Sequence, residues 1–506
     1  MLVHIYRIVG QPVKNIFANL LPRAWSLISL YFFTPVLTNI LGLENYGLIA
    51  FHNVLYGIIV IADAGITSSL DKEFATSKTD LEKRKFLNFF SRVYLVICLL
   101  VAIVLFLGAE FIGERWLNTR GEQKEDVILS LRIIAIAVST QLFPSIYLGT
   151  LMGSGKQVTA GLLQFFVQLA KIIGGILLLI IFSQSLLLYF LWHIVCNLAF
   201  TYFARKQVIQ SLPRVAQRWR VKDLPPHVWK YMKGMFIIGL VSAIMSQCDR
   251  ILASQSLTML EYAIYSLITI ICQMPLLASM PIVLALFPFL NRKIFERKRS
   301  EILSVYYNYS FVINVASTSL GTVIAIFGIT IMSYWQPDVF NHSIGGLSVV
   351  FALLAGASTL SAMQQLHFYY HLAEGVTKYI VVQNLISLLL FLPLFKILSG
   401  NQSMVSIAAP FFVLQLSAWL FHLFFIKKLL LKRVFGDYFT RTTLLPLIVN
   451  LLMALAYKQL FHIPKQLVEA MAHLVLFASI SIFFSTLLFK KGDFHQLLKL
   501  LSQEKR

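Results

Sequence analysis

Between Leu240 and Leu257 the chain reads LVSAIMSQCDRILASQSL. This is apolar enough for a membrane helix, yet Asp249 and Arg250 sit together near its middle. Charges at that depth are costly and mark a pathway, a partner or an ion site. Two readings stand: a pair held neutral by neighbouring helices, or a functional pair in which Arg250 meets an anion and Asp249 pairs or couples an ion. Adjacent residues point ~100° apart on a helix, so the two need not face one cavity. The other ionisable residues in or beside apolar segments are uneven in sign. Arg23, Arg132 and Lys171 are cationic; Asp63 is acidic, and Glu374 lies in a wet loop. A hydrophilic anion such as a phosphate head group needs buried cations to replace its hydration, and Arg makes bidentate contacts with it. Lys171, in VQLAKIIGG, reads as facing a cavity. Arg23, after Pro22, either lines a cavity or snorkels to inner lipid heads, and Arg132, near the outer surface, favours snorkelling. Asp63 in IVIADAGITSSL either caps local backbone or pairs with Arg23.

Amides add to this inventory. Gln141, Gln164, Gln168, Asn314, Gln383 and Gln415 lie in apolar stretches. They suit helix–helix contacts or a wet cavity that hydrogen-bonds sugar hydroxyls. No enzyme signature is present. His367 and His371 are four residues apart, without a third ligand or the glutamate of a zinc-protease helix. The Gly-Ser-Gly-Lys at 153–156 lacks the full phosphate-loop pattern and reads as a turn. Cys98, Cys196, Cys248 and Cys272 have no metal spacing and read as small packing residues. The reading therefore excludes catalysis, a metal and a bound cofactor, and leaves proton or sodium coupling open.

The elements that must position these residues are membrane helices. The chain has 506 residues, 58% hydrophobic and 13% charged, whereas soluble domains carry roughly 25% charged residues. Apolar runs near the ~20 residues of a spanning helix recur along it, which excludes a transmembrane barrel. Fourteen spans are expected, from 20–40 and 47–70 through 158–182 and 235–256 to 467–489. The span at 262–290 carries Pro275, Pro281 and Pro288 and should be kinked or broken. With the N-terminus placed inside, 34 of the 43 Lys and Arg residues fall on inner segments, six on outer loops and three within spans. This positive-inside bias puts both termini in the cytoplasm. It also accounts for the net charge of +21 without nucleic acid; the basic loops meet anionic lipid heads instead. The chain opens on an amphipathic basic stretch with His4, Arg7 and Lys14. Its loops are too short for a soluble catalytic domain.

A repeat suggests the grouping. Residues 33–52, FTPVLTNILGLENYGLIAFH, and 249–268, DRILASQSLTMLEYAIYSLI, are each a span, a short turn with an acidic residue, then Tyr and another span. An even number of helices separates them, so they run the same way. The expected fold is all-α and polytopic: two parallel six-helix lobes, 1–210 and 211–426, with two additional helices and a tail over 427–506. Parallel halves of this kind are one plan for transporters.

The hairpin TPVLTNILGLENYGLIAF, the DAGITSSLDKEFA that follows it and CDRILASQSLTMLEYAIYSL together resemble the polysaccharide-biosynthesis branch of the multidrug/oligosaccharidyl-lipid/polysaccharide exporter superfamily, in particular O-antigen or capsule repeat-unit flippases. The resemblance is best over 15–290. Asp-Ala-Gly stands here where Asp-Leu-Gly is commoner. The resemblance implies a flippase that moves an undecaprenyl-diphosphate-linked oligosaccharide from the inner to the outer leaflet of the cell inner membrane. It implies work alongside a polysaccharide polymerase and ligase. It also implies that Arg23, Lys171, Arg250 and Arg132 contact the diphosphate or acidic sugars, with Asp63 and Asp249 pairing with them or coupling an ion. Two other transport readings remain: a peptidoglycan-precursor lipid flippase, and a cation-coupled multidrug antiporter, which would want a more acidic cavity. A non-transporting scaffold would have little reason to hold mid-membrane charge.

Overall fold

The computed structural model describes residues 11–76, 79–117, 124–210, 212–213, 226–296, 299–342, 344–398, 403–431, 434–460 and 467–487. His4, Arg7 and the basic tail after 487 lie outside the described residues, as do Arg214, Arg218, Arg220 and Lys222 of the 205–233 loop. The chain divides into two compact units, Met1–Ala263 and Ile264–Arg506.

The first unit begins with α1 (Gln11–Leu41), α2 (Leu43–Thr76) and α3 (Asp80–Leu107). Then come α4 (Lys124–Leu142) and α5 (Pro144–Gly153), α6 (Gln157–Leu169), a π-helical turn at Ala170–Gly174, and α7 (Gly175–Ile181). Helices α8 (Leu186–Ile209) and α9 (Pro226–Ser256) follow. Helix α2 packs against α5 and α9, α1 against α6, and α4 against α3 and α8. Leu70, Phe74, Phe90, Tyr94, Ile146 and Leu151 form a buried core joining α2, α3 and α5. Close approach of α5 to α2 depends on Gly149, where a Cβ would lie 2.9 Å from the Thr67 methyl and 3.1 Å from its carbonyl oxygen. The outward side of α3 keeps Val96, Leu99, Leu100, Ile103 and Val104 exposed, as a lipid-facing helix should.

Helix α10 (Met259–Cys272) contains the division between units. The second unit continues through α11 (Met274–Phe295), α12 (Arg299–Trp335), α13 (Leu347–Ala373), α14 (Thr377–Leu398) and α15 (Met404–Ile426). It ends in α16 (Phe435–Phe439), α17 (Leu445–Leu460) and α18 (Leu467–Leu487). Helix α12 is the hub, packed on α11, α13, α17 and α18. One face of it carries Tyr306, Ser310, Asn314 and Thr318 at four-residue spacing. Each is bonded to another element: the Tyr306 hydroxyl to His367, Ser310 to the Tyr438 hydroxyl, Asn314 to the Thr442 carbonyl and Thr318 to Asn450.

Twelve helical spans among the described residues are long and apolar enough to cross a membrane. The protein is therefore an all-α, multi-pass membrane protein. Helices also occupy the other two expected positions, α2 and α18, outside those twelve. The expected break at 262–290 is present: α10 stops at Cys272, Gln273 turns, and Pro275 sits in the first turn of α11, where its missing N–H costs nothing. The two hairpins of the repeat are also present, with unlike turns. Asn45 donates to the Leu41 carbonyl at 2.9 Å and finishes α1. In the second, Glu261 accepts from the Thr258 amide at 3.0 Å and so caps α10.

Candidate functional site

A cavity of about 360 Å³ lies inside the first unit. Its walls come from α1, α2, α5, α6, α8, the end of α4 and the π turn. The polar side chains reach it by helical spacing. Gln164, Gln168 and Lys171 recur at intervals of four and three on one face, so they stack along one wall. His52 and Tyr56 share a face of α2, and Tyr189 and His193 a face of α8. The Ser26 hydroxyl lies 2.9 Å from the Pro22 carbonyl and 2.8 Å from Gln168 Oε1, tying α1 to α6. Trp25 meets the Phe165 ring edge-on at 5.8 Å and reinforces that contact.

Lys171 is placed by a local departure from the α-helix. A π turn shifts the residues after it and re-aims side chains, and such turns are frequent at functional sites. Here the Trp192 indole N–H donates to the Ala170 carbonyl at 2.9 Å, and so satisfies a carbonyl in the distorted stretch. Gly174 makes room for that indole, because a Cβ there would lie 2.6 Å from Trp192 Cζ2. Lys171, half-buried, is the only Lys or Arg on the cavity wall among the described residues, and no Asp or Glu lines it. The wall is otherwise amide, hydroxyl, imidazole and aromatic. That set can hold an oxyanion at Lys171 and hydrogen-bond hydroxyl groups around it.

The other expected site residues lie elsewhere. Asp63 sits just behind the wall: it accepts from the Thr67 hydroxyl at 2.9 Å, it is bonded by the cavity-lining Ser145, and Thr67 Oγ1 is 2.8 Å from the Tyr94 hydroxyl. Arg23 is exposed on α1, one turn from Ser26. Arg132 makes a 2.8 Å ion pair with Glu110 and lies over the Phe106 ring. On α9, Asp249 is buried and engaged, and Arg250 beside it is half-buried; neither lines the cavity. The fold thus brings Lys171 and the amides Gln141, Gln164 and Gln168 into one cavity, with Asp63 at its margin.

Sequence reasoning missed His52, Trp192 and the role of His193. The spacing of His52 with Tyr56, and of Tyr189 with His193, carried the signal. The four cysteines are buried and form no disulfide, and the Gly-Ser-Gly-Lys stretch is a turn between α5 and α6. His371 Nδ1 lies 3.3 Å from His422 Nδ1 in the second unit.

A family model described as "Polysaccharide biosynthesis protein" matches residues 13–293. No curated protein matches the sequence. The fold is similar to that of a lipid II flippase, MurJ, solved in an inward closed conformation. The TM-score is 0.71 at 14% identity, over 95% of this chain and 98% of that one. It is also similar to a Vibrio cholerae MATE transporter, with a TM-score of 0.59 at 14% identity, over 83% and 97% of the two chains. A Pyrococcus furiosus transporter of the MOP superfamily, whose binding pocket is described as of reverse polarity, gives 0.53 at 14% identity over 85% and 97%. The chain shares the fold of these membrane transporters.

Proposed function

The chain belongs to the polysaccharide biosynthesis protein family, and from that membership we propose that it is a flippase for an undecaprenyl-diphosphate-linked saccharide in the cell inner membrane. The observation that carries the proposal is the sign of the cavity: Lys171 lines it and no carboxylate does, among the described residues. A fold shared with drug transporters does not by itself tell a cationic cargo from an anionic one; the charge that meets the cargo does. A multidrug-cation antiporter would place an acid on this wall. We propose Lys171 as the first contact for the oxyanion, with Arg23 and Arg250 as further contacts along the path. Arg132 ranks last, because Glu110 already holds it. Asp63 and Asp249 are proposed for ion coupling or charge pairing. Fourteen spans, in two six-helix lobes with two helices appended and both termini cytoplasmic, complete the reading.

Two saccharides fit this chemistry. The family match favours a surface-polysaccharide repeat unit, such as that of an O-antigen. The fuller likeness to a lipid II flippase, across 95% of the chain, favours the peptidoglycan precursor, and we give this second reading the greater weight on fold. Depletion of the protein separates them. Lysis with accumulated lipid-linked peptidoglycan precursor supports the second reading. Loss of surface polysaccharide with accumulated undecaprenyl-linked repeat unit supports the first. A depleted strain with normal walls, normal surface glycan and neither intermediate would refute both.

A further inference from the structure

Two imidazoles share the cavity with Lys171, and neither has its ring nitrogens satisfied. His52 is buried, and its Nδ1–H donates to Asn53 Oδ1 at 3.2 Å. In the neutral ring Nε2 is then a bare lone pair, and it is buried with no hydrogen-bond partner among the described residues. His193 has both ring nitrogens buried and without such a partner. The two rings meet edge to face with centroids 6.3 Å apart, and Tyr189 lies 4.4 Å from His193. Lys171 acts electrostatically on both rings.

The surrounding charges do not supply a counterion. On the same helix, Asp63 is eleven residues beyond His52, about 16 Å along the axis, and is taken up by Thr67 and Ser145. Helix α9, packed on α2, brings Asp249, which is buried and engaged, and Arg250. Helix α1 brings Arg23, exposed, and α4 brings Arg132, paired with Glu110. The remaining titratable neighbours are Tyr46, Tyr56 and Tyr189 on the wall and Cys196 near Lys171. Protonating His52 or His193 would therefore add a second cation beside Lys171 with no acid facing it. An oxyanion in the cavity reverses that balance: its negative charge attracts the imidazolium.

We infer that this cavity binds its oxyanion together with a proton, which is taken up on the His52–His193 pair. The inference rests on the reading of the cavity as a saccharide-lipid head-group site and adds what that reading lacks, the proton stoichiometry of binding. At about 360 Å³ the cavity stands at the small end of ligand sites. It suits one anionic group, the diphosphate linker or one acidic sugar, rather than a whole oligosaccharide.

Calorimetry on the purified full chain tests this. Inorganic diphosphate and glucuronate are titrated separately at one pH, in buffers of different ionisation enthalpy. The dependence of the observed heat on the buffer gives the protons taken up per anion. About one is expected, with affinity falling up to about tenfold per pH unit as pH rises through neutrality. The tighter of the two anions identifies whether the linker or an acidic sugar occupies the site. His52→Gln and His193→Gln should each lower the proton count, and the double variant should bring it near zero while Lys171 still binds anion. Binding with no proton uptake in the wild type overturns the inference, and so does the absence of binding by either anion. In each case the flippase reading is judged separately, on the intermediates that accumulate after depletion.

Discussion

Replacing Lys171 by Gln removes the one Lys or Arg of the cavity wall among the described residues while keeping a side chain that can donate a neutral hydrogen bond. The effect can be sized. A hydrogen bond to a charged group is worth about 1.5–3 kcal/mol net, against about 1 kcal/mol for a neutral one. At 1.4 kcal/mol per tenfold, full loss would weaken anion binding about 10- to 150-fold. The introduced amide recovers part of this, as do Gln164 and Gln168 on the same wall, so the lower end, about tenfold, is expected. Salt dependence offers a second readout: affinity of Lys171→Gln for inorganic diphosphate should fall less steeply with ionic strength than that of the wild type. The measurement is titration calorimetry, paired with complementation at matched membrane level. Binding of Lys171→Gln within about twofold of wild type, with the same salt slope, would show that the lysine does not meet the anion and would remove the observation on which the functional reading stands.

Four further perturbations probe the supports. Trp192→Phe keeps the ring but loses the indole bond to Ala170, so the π turn can relax and swing Lys171 off the wall; transport should fall at unchanged expression, and wild-type activity would separate the indole from the placement of Lys171. Gly174→Ala should do the same more strongly, because its methyl meets the indole at 2.6 Å; an intact Trp192 environment by fluorescence would contradict that. In the second unit, Asn450→Leu breaks the 2.7 Å bond to Thr318, and a double-mutant cycle with Thr318→Val on thermal unfolding should give a coupling of about 0.6 to 1.7 kcal/mol. Finally, Arg132→Gln should change anion binding little, because its partner is the exposed Glu110 and such pairs contribute about 0–1 kcal/mol; a loss matching that of Lys171→Gln would move the site outward.

The helices were readable because their signal is a sum. Some twenty apolar residues outweigh one or two charges, so α8 persists through His193 and α4 through Arg132. The break before α11 was readable because Pro275 has no N–H to give. The cavity was only partly readable, for a different reason. Periodicity says which residues share a face, and the spacing of Gln164, Gln168 and Lys171 puts the three on one. It does not say whether that face meets lipid, another helix or a cavity. Asp249 and Lys171 looked alike in sequence, each a charge within an apolar run. The fold buries one on α9 and puts the other on the cavity wall. The π turn had no sequence signature beyond the glycine pair that follows Lys171, and its brace, Trp192, stands 22 residues from the carbonyl it satisfies.

What separates a polar cluster built for packing from one built for a ligand is whether its members satisfy each other. Along α12, Asn314 donates to the Thr442 carbonyl at 2.8 Å and to Thr443 at 3.1 Å, while Asn450 donates to Thr318 and accepts from Ser481. Those groups are mutually consumed, as buried polar groups in a structural seam must be. Around Lys171 the pattern is the opposite. Gln141 Oε1, His52 Nε2 and both nitrogens of His193 are buried without a partner among the described residues. Each such atom costs about 1–3 kcal/mol when left unpaired. A cluster of them around one cavity, beside a cation and with no acid on the wall among the described residues, is a cost the fold has no packing reason to carry. An anion entering beside Lys171 would supply the negative charge that this cluster lacks. Other buried atoms without a partner are scattered through the second unit, Asn308 Nδ2 and Ser319 Oγ on α12 among them; it is their gathering beside Lys171 that supports the proposal that cargo is met in the first unit's cavity.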